Sequence, residues 1–259
     1  MDDKLKEFGR LLKIMDELRE KCPWDMKQTV ESIRHLTIEE TYELSDAILN
    51  NDMEEVKKEL GDLLLHIVFY ARIASETNDF DIKDVIETLC EKLIRRHPHI
   101  YSDTEVSSEE DVKRNWEKIK QSEGSKEKTV LGGVPKSLPS IIKASRIQEK
   151  ARGVGFDWKN KKAVWEKVEE ELGEFKTELD NDQPNKDKVE EEFGDLLFSL
   201  INYARFLKID PDTALERTNY KFIDRFKIME KGIKTDNKEI SNLTLAEMDI
   251  YWEKAKSGN

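Results

Sequence analysis

Apolar residues recur every three or four positions along most of the chain, and this spacing predicts an all-α protein. The first such stretch, residues 3–20, predicts an amphipathic helix that ends at the Cys-Pro-Trp-Asp segment at 22–25. A second helix is expected to begin after Thr37, whose hydroxyl can cap it, with Glu40 three residues later as in a capping box. No alternation of apolar and polar residues is long enough to predict a strand.

Further helices are predicted in the rest of the first half. One begins near the Asn-Asn-Asp segment at 50–52, and another follows Asn78 and Asp79. The latter should end at Pro98, because proline cannot continue a helix. Residues 112–119, which include Trp116, predict a short helix.

Two acidic helices joined by a turn are the most informative part of the second half. Glu171 and Glu174 lie three residues apart on the first helix, so they share one of its faces. Glu192 and Asp195 have the same spacing on the second helix, and the breaker-rich segment 180–185 separates the two helices. If the helices pack antiparallel, the four carboxylates converge.

Converging carboxylates predict a divalent cation site, because two like charges about 4 Å apart repel by roughly 4 kcal/mol at an effective dielectric constant near 20. Oxygen ligands favour Mg²⁺, with Mn²⁺ as a possible substitute, over zinc. The alternative is a pair of solvated acidic faces, which are common in a chain with 39% charged residues. Against that alternative, Asp195 runs directly into an apolar stretch, and Gly173 and Gly194 lie inside the helices, where glycine indicates a close approach.

The first half of the chain repeats this pattern in the same order. Its four acidic residues Glu40, Glu43, Glu59 and Asp62 correspond to Glu171, Glu174, Glu192 and Asp195, with two extra residues in the second turn. Other ordered matches are Lys92 with Lys221, Arg96 with Arg225, Trp24 with Trp158, and Trp116 with Trp252. The repeat predicts two tandem helical domains, at residues 1–120 and 138–259, joined by a linker at 121–137 that is rich in Gly, Ser and Lys.

Charge and composition narrow the function. A net charge of −12 over 259 residues argues against sequence-independent binding of nucleic acid. It is compatible with binding of a small polyphosphate that carries Mg²⁺. No apolar run reaches the roughly 18 residues of a membrane span, and the charged N-terminus predicts a cytoplasmic protein. Cys22 and Cys90 form neither a disulfide framework nor a metal spacing, and we expect Cys90 to fill a helix core.

A bound polyphosphate also needs cations and a surface for its base. Lys221 and Arg225 are four residues apart and share a helix face, and Lys188 precedes the second acidic cluster by one turn. Trp252 offers a ring on which a base can stack. The alternatives are solvated ion pairs for the cations and ordinary packing of a terminal helix for the tryptophan.

Missing motifs constrain the chemistry as well. The sequence contains no Gly-rich phosphate loop, no Glu-x-x-His pair of a di-iron bundle, and no Ser or Cys with an evident His partner. The attacking group is therefore expected to be water, which Glu171 or Glu192 could orient or deprotonate. The sequence leaves the choice between them open.

Together these motifs resemble the MazG family of tandem-domain nucleoside triphosphate pyrophosphohydrolases. The resemblance rests on Glu-Glu-x-x-Glu followed by Glu-x-x-Asp, on Cys-Pro-Trp-Asp, on Arg-Arg-His-Pro-His at 95–99 and on Gly-Phe-Asp-Trp at 155–158, and it covers nearly the entire chain. It implies Mg²⁺-dependent hydrolysis of nucleoside triphosphates to the monophosphate and pyrophosphate by water attack at the α-phosphorus, for cleaning or control of the nucleotide pool. It also implies a homodimer whose paired hairpins build helix bundles. The remaining alternatives are a narrower dUTPase-type enzyme and a non-catalytic acidic interaction protein.

The resemblance further implies a role for each site residue, with the principal site in the second domain. The metal ligands are Glu171, Glu174, Glu192 and Asp195, and the catalytic candidates are Glu171 and Glu192. The nucleotide-binding candidates are Lys167, Val168, Glu169, Glu170, Glu171, Lys188, Val189, Glu190, Glu191, Lys221, Arg225 and Trp252. A second candidate site, in the first domain, consists of Glu40, Glu43, Glu59, Asp62, Lys92 and Arg96.

Overall fold

A computed structural model describes residues 2–102, 106–108, 111–112, 115–116, 119 and 129–257. The chain divides into two compact units, Met1–Lys120 and Gln121–Asn259. All regular structure in the described residues is helical, which confirms the prediction of an all-α fold. The predicted helix at 112–119 and the linker at 121–137 lie partly outside the described residues.

The first unit is built on an antiparallel hairpin of two long helices. Its helices are α1 (Asp3–Lys21), α2 (Val30–Leu49), α3 (Met53–Ser75), α4 (Ile82–Arg96) and the short α5 (Pro98–Tyr101). The hairpin is formed by α2 and α3, and α1 packs against α3. Four buried side chains, Met15, Ile33, Val68 and Phe69, form the core between these three helices.

The start of α2 differs from the prediction. Thr29 is the N-cap, its backbone is extended, and its hydroxyl accepts a hydrogen bond from the Ser32 backbone N–H in a capping box. Thr37 lies well inside the helix, where its hydroxyl is 2.7 Å from the Tyr70 hydroxyl on α3. The prediction was wrong because an N-cap must interrupt the helical backbone, and the apolar period already runs through Ile33 ahead of Thr37.

The fourth helix confirms one expectation and corrects another. It ends at Arg96, and Pro98 then opens the short α5, so Pro98 does mark the end of α4. Cys90 is exposed and fills no core, contrary to the prediction. No residue of α4 is buried within the described part of the unit, because this helix has few contacts with the rest of the first unit.

The second unit repeats the hairpin. Its helices are α6 (Ser140–Gly153), α7 (Lys161–Leu179), α8 (Lys186–Phe206), α9 (Pro211–Thr235) and α10 (Leu245–Ser257). The hairpin is formed by α7 and α8, α6 packs against α8, and α9 packs mainly against α10. Met229, Ile233 and Tyr251 form the core between α9 and α10.

The two hairpins differ in how their helices are joined. The first link, Asn50 to Asp52, is three residues long, and Asn51 adopts a left-handed φ of 57°. The second link runs over residues 180–185, all of which are exposed. Both links fall where the breaker residues predicted them, and each leaves its two acidic helices antiparallel.

Within the described ranges, no helix is both long enough and apolar enough to cross a bilayer.

Candidate active site

The α7–α8 hairpin brings three of the predicted metal ligands together. Glu171 on α7 is buried, and its carboxylate faces Glu192 and Asp195 on α8. One oxygen from each residue lies within 4.8 Å of the others. Farther along the hairpin, the rings of Phe175 and Phe193 are 5.6 Å apart and tie the two helices together. We refer to Glu171, Glu174, Glu192 and Asp195 as the C-terminal cluster.

The carboxylates of the C-terminal cluster repel one another. Partial burial and the neighbouring carboxylates of Glu174, Asp195 and Glu171, in that order, raise the pKa of Glu192 above its ordinary value. Glu174 also joins Glu171 in a second group of oxygens that could share an ion. Mutual repulsion of this kind is relieved when a divalent cation binds, so the donor set fits Mg²⁺.

A lysine already occupies part of this site. The Lys167 ammonium lies 2.6 Å from Glu171 Oε1 and 2.7 Å from Glu170 Oε1. Hydrogen bonds to Glu170 and then Glu171 raise the pKa of the ammonium above its usual range. From the sequence, Lys167 is predicted only as part of a nucleotide-binding segment. The signal for its ion pairs was its spacing of three and four residues from these glutamates.

The α2–α3 hairpin builds a similar group. Oxygens of Glu40, Glu59 and Asp62 lie within 4.8 Å of one another, and Glu43 acts on Glu59 through its charge. We refer to these four residues as the N-terminal cluster. Glu59 is buried, and its Oε2 meets no hydrogen-bond donor among the described residues. Burial first, then a hydrogen bond shared with Glu40 and the charge of Glu43, raise the pKa of Glu59 to about 7.

The predicted phosphate- and base-binding residues lie on α9 and α10, outside the acidic hairpin. Lys221 and Arg225 lie on α9, and the Trp252 ring on α10 is 5.0 Å from the ring of Phe222. Arg225 Nε is buried without a hydrogen-bond partner in the described residues. Neither Lys221 nor Arg225 forms an ion pair with the C-terminal cluster in that part of the chain.

The remaining predicted nucleotide-binding residues differ in accessibility. Val168 is buried in the hairpin core, Val189 is half-buried, and Glu169, Glu170, Glu190 and Glu191 are exposed. Lys188 is exposed and lies 3.9 Å from Glu178 on α7, so it forms an ion pair with a residue outside the cluster. In the first unit, the Arg96 guanidinium lies 5.0 Å from the centre of the Trp116 ring, and Lys92 is half-buried on α4.

The glycines inside the acidic helices make no close contact with the rest of the described chain. A Cβ at Gly173 or Gly194 would meet nothing within 4 Å. The close approach expected from their sequence positions is therefore absent within the described residues.

The Gly-Phe-Asp-Trp segment has a role in the fold. The Arg205 guanidinium on α8 donates a hydrogen bond of 2.9 Å to Asp157 Oδ2 and also contacts the other carboxylate oxygen of Asp157. Arg205 also donates to the side chain of Asn202, which is buried. This ion pair fixes the loop before α7 onto α8, so it helps set the position of the helix that bears Glu171. In the sequence, this segment is recognisable only as a motif.

The fold and the site define a class: an all-α protein with two tandem acidic hairpins, each holding carboxylates that could bind a divalent cation. The profile of the MazG nucleotide pyrophosphohydrolase domain matches residues 28–101 and 159–229, and each match contains one hairpin. The chain belongs to this family. The two matches confirm the tandem arrangement that the internal repeat predicted.

Individual relatives extend the similarity over almost the whole chain. The chain is 48% identical over 255 residues to the nucleoside triphosphate pyrophosphohydrolase/pyrophosphatase MazG of Thermotoga maritima, covering 97% of this chain and 96% of the relative. It is 38% identical over 257 residues to the nucleoside triphosphate pyrophosphohydrolase of Escherichia coli K12, covering 97% and 98%. A solved mazG-related protein from Thermotoga maritima aligns with 44% of this chain and 98% of its own, at 27% identity and a TM-score of 0.39.

Proposed function

We propose that the protein hydrolyses nucleoside triphosphates to the monophosphate and pyrophosphate. The observation that supports this most directly is the set of Glu171, Glu192 and Asp195 oxygens within 4.8 Å of one another between the two helices of the hairpin. The names of its full-length relatives support the same activity. Cleaning or control of the nucleotide pool is the corresponding cellular role.

We assign Mg²⁺ as the cofactor, with Mn²⁺ as a substitute. The ligands in this proposal are Glu171, Glu174, Glu192 and Asp195, all of which offer only oxygen. The raised pKa of Glu192 supports it, because carboxylates forced together gain from a nearby positive charge. When bound, the cation supplies positive charge to the phosphate oxygens and to the leaving pyrophosphate.

The reaction follows from the chemistry of the side chains. Glu171 or Glu192 orients a water molecule and accepts its proton as the water oxygen bonds to the α-phosphorus. The bond from that phosphorus to the bridging oxygen breaks, and the electron pair leaves with pyrophosphate. The carboxyl group then releases its proton to solvent. No covalent intermediate is required.

We place the nucleotide between the C-terminal cluster and the α9–α10 pair. Lys221 and Arg225 bind phosphate oxygens, and Trp252 stacks on the base. The unpartnered Nε of Arg225 supports this role, because a buried donor without an acceptor costs free energy. The segments at 167–171 and 188–191 flank the phosphates.

We further propose that the protein is a homodimer. Both hairpins carry large apolar side chains that remain 37–58% exposed among the described residues. A second copy of the hairpins would bury them and complete a helix bundle. Those side chains are Ile38, Tyr42, Leu60, Leu64 and Ile67 on α2 and α3, and Leu172, Phe193, Leu197 and Leu200 on α7 and α8. Analytical ultracentrifugation should give twice the mass of the chain.

The two compact units correspond in this proposal to two domains, at residues 1–120 and 138–259, with a linker at 121–137. The second domain contains the principal site. Glu40, Glu43, Glu59 and Asp62 form a second candidate site, with Lys92 and Arg96 as its phosphate-binding residues.

The test is a ³¹P NMR assay of the full chain with Mg²⁺ and a panel of nucleoside triphosphates. Monophosphate and pyrophosphate are the expected products, and Glu192→Gln should lower kcat by about 100-fold or more while the helical content is retained. Glu166→Gln on α7 is the matched control, because Glu166 is exposed and lies 3.6 Å from Lys162, outside the cluster.

Other outcomes would change the proposed site, the bond that is attacked or the class of protein. Loss with Glu59→Gln alone would move the principal site to the first unit. Release of diphosphate and inorganic phosphate would contradict attack at the α-phosphorus. One strongly preferred base would favour the dUTPase-type alternative, and no turnover of any nucleotide would favour a non-catalytic interaction protein.

A further inference from the structure

The two acidic clusters differ in one positively charged side chain. Lys167 lies four residues before Glu171, and the equivalent position, four residues before Glu40, is Leu36. The Lys167 ammonium pairs with Glu171 and Glu170, whereas Leu36 packs against the core of the first unit. The C-terminal cluster therefore has an internal counter-ion at a position where the N-terminal cluster has an apolar side chain.

The contact with Glu171 matters because of where that carboxylate lies. The Glu171 side chain is only 8% exposed, so little water competes for its oxygens, and Oε1 is bound by the ammonium at 2.6 Å. The same carboxylate belongs to both groups of oxygens in the second unit that could hold an ion. A divalent cation that takes this oxygen must displace the ammonium or bind close to another positive charge.

We propose that Lys167 competes with the divalent cation for Glu171, and so couples cation binding to nucleotide binding. This inference rests on the proposed function, because it takes the C-terminal cluster as the cation site. Without nucleotide, an ammonium displaced from Glu171 keeps only Glu170 as a partner. With nucleotide present, the displaced ammonium gains phosphate oxygens as new partners, since Lys167 is half-buried beside the cluster and has a flexible stem. Lys167 is thus a positioning residue, and it makes the cluster bind cation and triphosphate together in preference to cation alone.

The experiment measures Mn²⁺ binding to the full chain by electron paramagnetic resonance, with no activity readout. Glu59→Gln is present in every variant, so that the N-terminal cluster contributes less to the titration. Lys167→Met keeps the length of the side chain and removes its charge, and Lys167→Arg keeps the charge. Lys162→Met is the matched control, because Lys162 lies on the same helix and pairs with Glu166 at the same four-residue spacing.

Lys167→Met should lower the Kd for Mn²⁺ by about tenfold or more, because one positive charge leaves the cluster. Lys167→Arg and Lys162→Met should have a Kd near that of the parent protein, which carries Glu59→Gln alone. A non-hydrolysable α,β-methylene triphosphate should tighten Mn²⁺ binding to the parent protein more than to Lys167→Met. Lys167→Gln provides a second neutral variant in case the methionine disturbs folding, which circular dichroism would reveal.

The results separate this inference from the proposed function. Unchanged or weaker Mn²⁺ binding in both neutral variants, in a protein that hydrolyses triphosphates, would overturn the role of Lys167 and leave the activity intact. Tighter binding in the neutral variants without hydrolysis by the unaltered chain would support the competition and contradict the activity. Absence of Mn²⁺ binding in every variant would overturn the inference.

Discussion

Glu59 on α3 and Glu40 on α2 place carboxylate oxygens within 4.8 Å of each other, and a hydrogen bond between the two groups raises the pKa of Glu59. Burial of Glu59 contributes most to this shift, and together with the neighbouring carboxylates it raises the pKa of Glu59 from 4.5 to about 7. Between these two values the folded state binds more protons than the unfolded state. The free energy of unfolding therefore falls as the pH rises through this window, and the loss is complete above pH 7.

The substitution Glu59→Gln should remove this dependence. In EDTA, the variant should gain stability relative to the unaltered protein as the pH rises from 5 to 8, because the amide cannot ionise. Urea unfolding at both pH values, followed by circular dichroism, measures the difference. Glu54→Gln is the control on the same helix, because the Glu54 side chain is 80% exposed. A stability difference between Glu59→Gln and the unaltered protein that is the same at both pH values would contradict the assignment.

Bound cation should stabilise the fold through the C-terminal cluster. A ligand present at 100 times its Kd that binds only the folded state adds about 2.7 kcal/mol to the free energy of unfolding. Mg²⁺ should therefore raise the thermal midpoint, and EDTA should reverse the effect. In a Glu59→Gln background, adding Glu192→Gln should remove most of the rise, whereas adding Glu166→Gln should preserve it. An equal rise in both double variants would place the ion elsewhere.

Arg225 provides a test of phosphate binding. Charged hydrogen bonds of this kind contribute about 1.5–3 kcal/mol, so Arg225→Ala should raise the KM for nucleoside triphosphate by roughly 10- to 100-fold. The control is Lys227→Ala on the same helix, because Lys227 is exposed and lies 3.8 Å from Asp224. Steady-state kinetics at saturating Mg²⁺ measure both variants. The same change in KM for both would mean that only the overall charge of α9 matters.

The core between α9 and α10 should set the stability of the second unit. Ile233 is 1% exposed, and Ile233→Ala should cost about 2–5 kcal/mol, because it removes buried methyl groups and leaves a cavity. Ile250 on α10 is 58% exposed, and the same substitution there should cost less than about 0.5 kcal/mol. Urea denaturation of the two variants compares them directly. Similar losses at both positions would show that Ile250 is covered in solution.

Much of the hairpin could be predicted from the sequence, because its determinants are local. Glu171 lies on the same helix as Glu174, and Glu192 on the same helix as Asp195, so helical spacing fixes each pair. The breaker residues at 180–185 fix the reversal between them. Convergence of the pairs then requires only that the two helices pack side by side, as they do.

Features that depend on tertiary context were harder to predict. Thr37 is of a residue type that commonly caps helices, and Glu40 follows it at the usual spacing. The true capping box at Thr29 uses Ser32 in place of the usual Glu or Gln, so the correct cap was less evident. Cys90 follows an apolar period on α4, yet that helix has few contacts in its unit and leaves the thiol exposed. The burial of Glu59, and with it the pKa of about 7, arises from packing that no local pattern encodes.

The unequal links of the two hairpins indicate where the protein can be extended by design. The three-residue link at Asn50–Asp52 depends on the left-handed backbone of Asn51, so an added residue there would disturb the pairing of α2 with α3. Residues 180–185 are all exposed, and lengthening an exposed loop costs little conformational entropy. A peptide tag or a fluorescent reporter grafted at this loop would leave both helices of the second hairpin whole.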